Sequence, residues 1–557
     1  MAMLDSMGAG QAPAVPRDQL QLGTLPPELL TSIVECLVPQ RPEIGETRPV
    51  SYDQLVPGEA WFDFTRSRRA LWSLCLVSRR FYAVARPLLY RTMAITDEEC
   101  MFLLLRTLTD NPRHGRWTRF LSVHVTLTRD TVIRETRRAV GRHIRSFRPS
   151  HEPHLIMDMI NRALDVMAVT LPAISTSAGD FDEVPQVILA YILVFLVNLD
   201  TLLLQVPICD EHEDYLALFF KLRSITNTFK SPHTNQALAP LRQVHTLLLQ
   251  GDPDLLNHFE HEDCNCEFPE VWGCQASQYH PLFEVLPALH TLEVSTDDGS
   301  WSNLMIDDAG FFLNSGQPPQ SYLKGIKHIY LHNSIACPQN LYHILLNAPD
   351  LETLYMDPRK DDILDRGPPD DSTEPDEEAL DVALTSHAKK LRRLDVAWFD
   401  AGGYETLIGP EGRLASLPSL TKLEALSIQL AVLYGTQPAT VLETPLAELL
   451  PPNLVELTLE DWWWKNNHAF DRMPGWSSVQ KVQYYRNQKE YRRMATHMLE
   501  QFAVDSRQRL PRLKKVMLLC RIPWTWMMED ALDIDFHFQK TKMLFKARGV
   551  EFLVEEY

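Results

Sequence analysis

The sequence predicts an α/β chain in two parts: a short N-terminal helical module over about 21–95, then a long array of alternating strands and helices over 96–557. Three observations predict it. Apolar residues recur at helical spacing in two stretches before residue 90. A six-residue pattern, apolar-x-x-apolar-x-apolar, returns ten times between Phe120 and the end of the chain. Hydrophobic residues make up 45% of the 557 positions, enough to bury a core along most of the length. A chain of this size exceeds one compact core and calls for several domains or an elongated array.

Residues 1–20, rich in Ala, Gly and Pro without periodicity, suit a disordered tail. From Leu22 the text becomes LGTLPPELLTSIVECL, where Pro26 and Pro27 can occupy the first turn of a helix, whose backbone donors have no partner in any case. Leu29, Leu30, Ile33, Val34 and Leu37 follow at three- and four-residue steps, one apolar stripe on a helix too short to persist without a partner surface. A second helix is expected from Ala70, with Leu71, Leu74, Val77, Phe81 and Val84 on one face, broken at Pro87 so that LLYRTMAI runs out extended. The stretch between them, about 38–69, is rich in Pro and polar residues and is expected as an inserted loop, at little cost because closure entropy grows only logarithmically with length.

Together these two helices resemble the F-box motif, LPxELL at the start and LxxVSRxFxxxARPLLY at the end. Pro26, Glu28, Val77, Ser78, Arg79, Phe81, Pro87 and Tyr90 agree with it in order, over about 70 of the 557 residues. The resemblance implies docking on the Skp-type adaptor of a cullin-RING ligase through Leu25, Pro26, Glu28, Leu29, Ile33, Leu74, Val77, Ser78 and Phe81; internal packing is the other role open to these side chains. The family has a short turn where this chain has the insertion, a departure that leaves the docking geometry open.

Downstream, the hexapeptide reads FLSVHV from Phe120, LDTLLL from Leu199, VHTLLL from Val244, LHTLEV from Leu289 and IKHIYL from Ile326. It continues as LETLYM from Leu351, LRRLDV from Leu391, LEALSI from Leu423, LVELTL from Leu454 and LKKVML from Leu513. At this composition one match arises by chance at roughly one site in eleven, so the recurrence carries the argument. The fourth and sixth positions suit a short strand with both side chains on one core, and the first packs the turn before it. A strand and a helix repeated is leucine-rich-repeat logic, in which no unit buries its apolar side alone. The spacing, about 25 to about 80 residues, is irregular for that class, and an ordinary parallel α/β domain would share the pattern. With LPxL phrases before many strands, the chain resembles the large fungal group of F-box proteins with divergent leucine-rich repeats.

Several segments interrupt this array. Residues 357–379 hold ten acidic side chains among prolines and read as a solvated loop. Trp462, Trp463, Trp464 and Trp476 read as gap-filling or partner-anchoring aromatics. Arg137, Arg138, Arg142, Arg145 and Arg148 fall at helical steps, a solvated face or a basic docking stripe. Val187–Val197 is the most apolar stretch, but a membrane span needs about 20 such residues, so a buried helix is expected.

The formal net charge of −19, from 73 acidic against 54 basic side chains, opposes binding a polyphosphate backbone over most of the surface. Nucleic acid and membrane are therefore not expected as partners. Nine scattered cysteines indicate a reducing compartment, cytoplasm or nucleus. No nucleophile elbow, phosphate loop, dinucleotide fingerprint or zincin helix occurs, so no enzyme and no cofactor is expected. His258, His261, Cys264, Cys266, Cys274 and His280 are zinc-type donors, but their spacing fits no familiar finger.

The expectation is a non-catalytic specificity subunit of a Skp-cullin-F-box type ubiquitin ligase, the module holding the adaptor and the repeats holding an unknown protein substrate. The alternative is an interaction scaffold of the same fold that does not act through a ligase.

Overall fold

The structure, a computed structural model, describes residues 25–38, 59–96, 98–124, 184–206, 241–251, 279–295, 323–334, 338–358, 380–396, 413–434, 444–460, 478–520 and 538–556. Two compact units result, Met1–Met93 and Ala94–Tyr557.

Three helices build the first unit: α1 (Pro27–Glu35), α2 (Glu59–Val77) and α3 (Arg79–Leu89). Pro27 opens α1, where its missing donor costs nothing, and Leu30 N donates to Pro26 O at 3.0 Å. Leu30, Val34, Leu71, Phe81, Ala85 and Leu88 form the core.

Two expectations are corrected in this unit. Helix α2 starts at Glu59 rather than Ala70, so residues 59–69, expected as loop, are helical; Arg68 ties this turn down by donating to Thr92 O at 2.8 Å. The chain then breaks at Ser78 and not at Pro87. Ser78 is fully extended, its carbonyl accepts from Tyr82 N at 2.8 Å, and its hydroxyl accepts from Phe81 N at 3.3 Å, which starts α3 as a new helix. Pro87 lies inside α3, where its missing N–H leaves only one carbonyl of the last turns without its helical donor before the helix ends.

The second unit is α/β, built on a 12-stranded, all-parallel sheet whose strands lie side by side in chain order. They are β1 (Thr92–Ile95), β2 (Phe120–Val123), β3 (Thr201–Val206), β4 (Thr246–Gly251), β5 (Thr291–Ser295) and β6 (His328–Ser334). The series continues with β7 (Thr353–Pro358), β8 (Arg393–Val396), β9 (Ala425–Gln429), β10 (Glu456–Glu460), β11 (Lys515–Cys520) and β12 (Glu551–Glu556). Between strands run α4 (Glu98–Asp110), α5 (Val184–Phe195), α6 (His280–Val285), α7 (Pro338–Asn347), α8 (Leu380–His387), α9 (Leu430–Tyr434), α10 (Leu446–Leu449), α11 (Ser478–Arg509) and α12 (Gln539–Lys546).

Nine of the ten hexapeptides enter a strand at their third residue. Their fourth positions stack in register as Leu202, Leu247, Leu292, Ile329, Leu354, Leu394, Leu426, Leu457 and Val516, and their sixth positions form a parallel column from Leu204 to Leu518. Both columns are buried, because each strand buries its alternate residues on its neighbours'. The LPxL phrase becomes a turn: Leu289 N donates to Leu286 O at 3.0 Å and Leu513 N to Leu510 O at 3.1 Å, with all four leucines buried.

The tenth frame is corrected. In β2 the register pairs Phe120 with Thr201, so the core residues are Leu121 and Val123, and buried Thr118 takes the first position. The expected helix over Val187–Val197 is α5, buried on every side from Ile188 to Phe195. Among the described residues, no helix is long and apolar enough to cross a membrane. The acidic run from 359 on, the tryptophans Trp462–Trp464 and Trp476, and the arginines from Arg137 to Arg148 lie outside the described residues.

Candidate functional site

On α1 the single apolar stripe of the sequence separates into two. Successive residues are about 100° apart around a helix, so Leu30 and Val34 face the core while Leu29 (53% exposed) and Ile33 (46%) face outward. Helix α2 behaves alike: Leu71 is buried, whereas Trp72 (58%), Leu76 (68%) and Val77 (64%) are exposed. Tyr82 on α3 is also exposed, and the Arg86 guanidinium sits 5.0 Å from its ring centroid. Most of the large apolar side chains that stand exposed among the described residues belong to this one small unit.

The residues singled out from the sequence therefore divide. Leu29, Ile33 and Val77 are exposed apolar positions, and Pro26 and Glu28 are exposed beside them. Leu25 is half-buried and accepts from Arg80 through its carbonyl. Ser78 is exposed but occupied as the cap of α3. Leu74 packs on the core and Phe81 lies within it at 8% exposure, so both hold the unit together. Trp72, Leu76 and Tyr82 were missed; their i, i+4 spacing from Trp72 to Leu76 was visible, but nothing local distinguishes an outward apolar row from an inward one.

In the second unit the second positions of the hexapeptides form a row where the strands begin. The backbone N–H of each such residue donates to the carbonyl of its predecessor: His245 to Asp200 at 2.8 Å, His290 to His245 at 3.1 Å, Lys327 to His290 at 2.8 Å, Glu352 to Lys327 at 2.7 Å. The ladder continues through Arg392 and Glu424 to Val455, each at 2.7–2.8 Å. Side chains from repeats far apart in the chain thus stand shoulder to shoulder. His245 Nδ1 lies 2.9 Å from Asp200 Oδ1, and its ring stacks on His290 with centroids 5.3 Å apart. Lys327 pairs with Glu352 at 3.3 Å and Arg392 with Glu424 at 2.8 Å. Burial, reinforced by the neighbouring His245 and Lys327, lowers the pKa of His290, and burial lowers that of His328.

On the sheet face opposite the core columns, Glu293 and His332 are buried together, Oε1 to Nε2 3.3 Å, with Tyr355 packed on the imidazole at 5.4 Å. His332 Nε2 makes no directed hydrogen bond in this contact. His258, His261, Cys264, Cys266 and Cys274 lie outside the described residues, and His280 opens α6. Among the described residues, no group of three His, Cys, Asp or Glu stands close enough to hold a metal ion.

The class that fold and surface define is an α/β repeat protein with a separate small helical unit carrying exposed apolar rows. No protein-family model and no curated protein sequence matches the chain.

Proposed function

We propose that this chain is the substrate-recognition subunit of a Skp-cullin-F-box type ubiquitin ligase, its N-terminal unit acting as the F-box and its sheet unit as an irregular leucine-rich-repeat-like solenoid. One observation carries the reading: Leu29, Ile33, Trp72, Leu76 and Val77 stand exposed on helices that turn Leu30, Val34 and Leu71 into the core. Such a surface gains from burial at roughly 25 cal/mol per Å2, and by resemblance its partner is the Skp-type adaptor. Catalysis is then proximity: the adaptor and cullin-RING subunits supply the transfer chemistry while the repeats hold a protein substrate, so the chain itself needs no nucleophile and no cofactor. Cytoplasm or nucleus is the compartment this role requires.

The test is binding of purified chain to purified Skp-type adaptor. A Leu29→Asp, Ile33→Asp double variant is expected to weaken binding by at least about a hundredfold, two desolvated contacts being replaced by charges, while the melting temperature of the chain stays put because both side chains already face water. Wild-type chain that is folded yet fails to bind at micromolar concentration would remove the ligase reading and leave the scaffold alternative.

A further inference from the structure

Along the strand-start row, charge compensation changes. From Asp200 to Glu352 histidine and lysine have carboxylates beside them: His245 with Asp200, Lys327 with Glu352. Beyond Glu352, Lys390, Arg392, Lys422 and Arg512 converge on one open cavity of about 430 Å3, which Glu352 and Glu424 also line.

These two carboxylates do not neutralise the four cations. Glu352 is already engaged by Lys327. Glu424 is divided between Arg392 at 2.8 Å and Arg512 at 3.8 Å, the second beyond direct hydrogen-bond reach. Lys390 is held by Asp350 at the rim, and that hydrogen bond draws the Asp350 carboxyl below the usual carboxylate range. Lys422 has no carboxylate partner among the described residues. With Asp350 counted, four cations meet three carboxylates, one of them shared with Lys327, so an excess of positive charge remains on a chain whose net charge is −19. Convergent like charges repel, so a fold that gathers them in one concavity gains when an anion enters.

The ligand chemistry follows from donor type and size. Two guanidinium forks and two ammonium groups present many N–H donors and few acceptors, which suits a tetrahedral oxyanion carrying two charges. The volume exceeds that of one such group and falls in the range of small-molecule sites, about 300 to 1,000 Å3. Asn453 Nδ2 donates to Thr421 O at 2.7 Å, which fixes two adjacent turns of the lining relative to one another. We propose that this cavity is a binding site for a phosphoryl-bearing polyanion, as a free polyphosphate or as phosphorylated side chains of a peptide. The inference is independent of adaptor docking, which concerns the other unit.

Titration calorimetry of the full chain with inorganic tripolyphosphate, and separately with a doubly phosphorylated peptide and its unphosphorylated form, tests the site. Saturable binding of a phosphorylated probe is expected, weakening steeply as salt rises because the cations are exposed. A Lys422→Gln, Arg512→Gln double variant is expected to lose at least about tenfold in affinity, and Lys422→Gln alone a measurable part of it, with unchanged melting temperature. Preference between the free polyphosphate and the phosphopeptide assigns the source; either supports the site. Absence of saturable binding to both, or equal affinity in wild type and folded double variant, overturns it.

Discussion

Two glycines show how differently a single residue can be constrained. A Cβ on Gly115 would lie 2.3 Å from Phe195 O, a backbone atom at the end of α5 that cannot rotate away. Gly115→Ala should therefore destabilise the sheet unit by about 1–3 kcal/mol, read as a lower urea midpoint at constant slope. Gly549 has open space around it but φ of +72°, so Gly549→Ala should cost about 1 kcal/mol through backbone strain alone. A half-buried histidine adds a pH dependence. Burial pushes His124, at the end of β2, down to about 4, against about 6.5 for an ordinary histidine. Between those values the unfolded chain binds a proton that the folded chain excludes. The stability due to the neutral ring is thus complete above about pH 6.5 and is lost as pH falls toward 4, and His290 and His328 shift in the same direction. Melting temperature should decline over that window, and decline less in His124→Gln. An unchanged acid profile in that variant would assign the loss to other groups.

At the scale of the element, the first unit depends on how its helices are delimited. Ser78 both ends α2 and caps α3, so Ser78→Ala should cost about 1 kcal/mol through loss of the bond to Phe81 N, detectable as earlier thermal loss of helical signal. Phe81→Ala, which empties part of the core, should cost about 3–5 kcal/mol, whereas truncating exposed Leu29 should leave stability untouched and alter only association. This contrast separates a residue that builds the surface from one that belongs to it. Helix boundaries were the least legible feature here. The polar and proline-rich text around residues 59–69 hid the first turns of α2, and a serine in the middle of an apolar periodicity proved a stronger stop than the proline nine residues later. The reason is local: the hydroxyl at Ser78 offers the chain an alternative acceptor, while Pro87 removes one donor where the helix is about to end.

For the whole molecule, every strand but β1 and β12 is flanked by a strand on both sides, and α12 packs on β12 at the end of the array. Phe545 stacks on Phe552 at 5.1 Å and meets Phe502 of α11 at 5.8 Å. Removing residues 521–557 would leave β11 as an open edge with Val516 and Leu518 uncovered, so the truncated chain should self-associate in sedimentation velocity and melt earlier than the parent. A truncated chain that stayed monomeric at equal stability would mean the last repeat is an appendage and not a cap.

Most strands, and the side chains they turn inward, are legible in local sequence. Leu202, Leu247, Leu292 and their successors are legible because alternation at period two is a local property that survives whatever the neighbours do. It failed where the local signal failed: at β2, whose first position is Thr118, and at β12, where Gly549 stands in place of the expected leucine. Tertiary structure alone decided the rest. Whether Leu29 or Leu30 faces water depends on where α3 lies, and whether Arg392, Glu424 and Arg512 meet depends on the register of β8, β9 and β10 with β11. Those contacts join residues dozens of positions apart, and only the parallel stacking of strands in one frame brings them within reach.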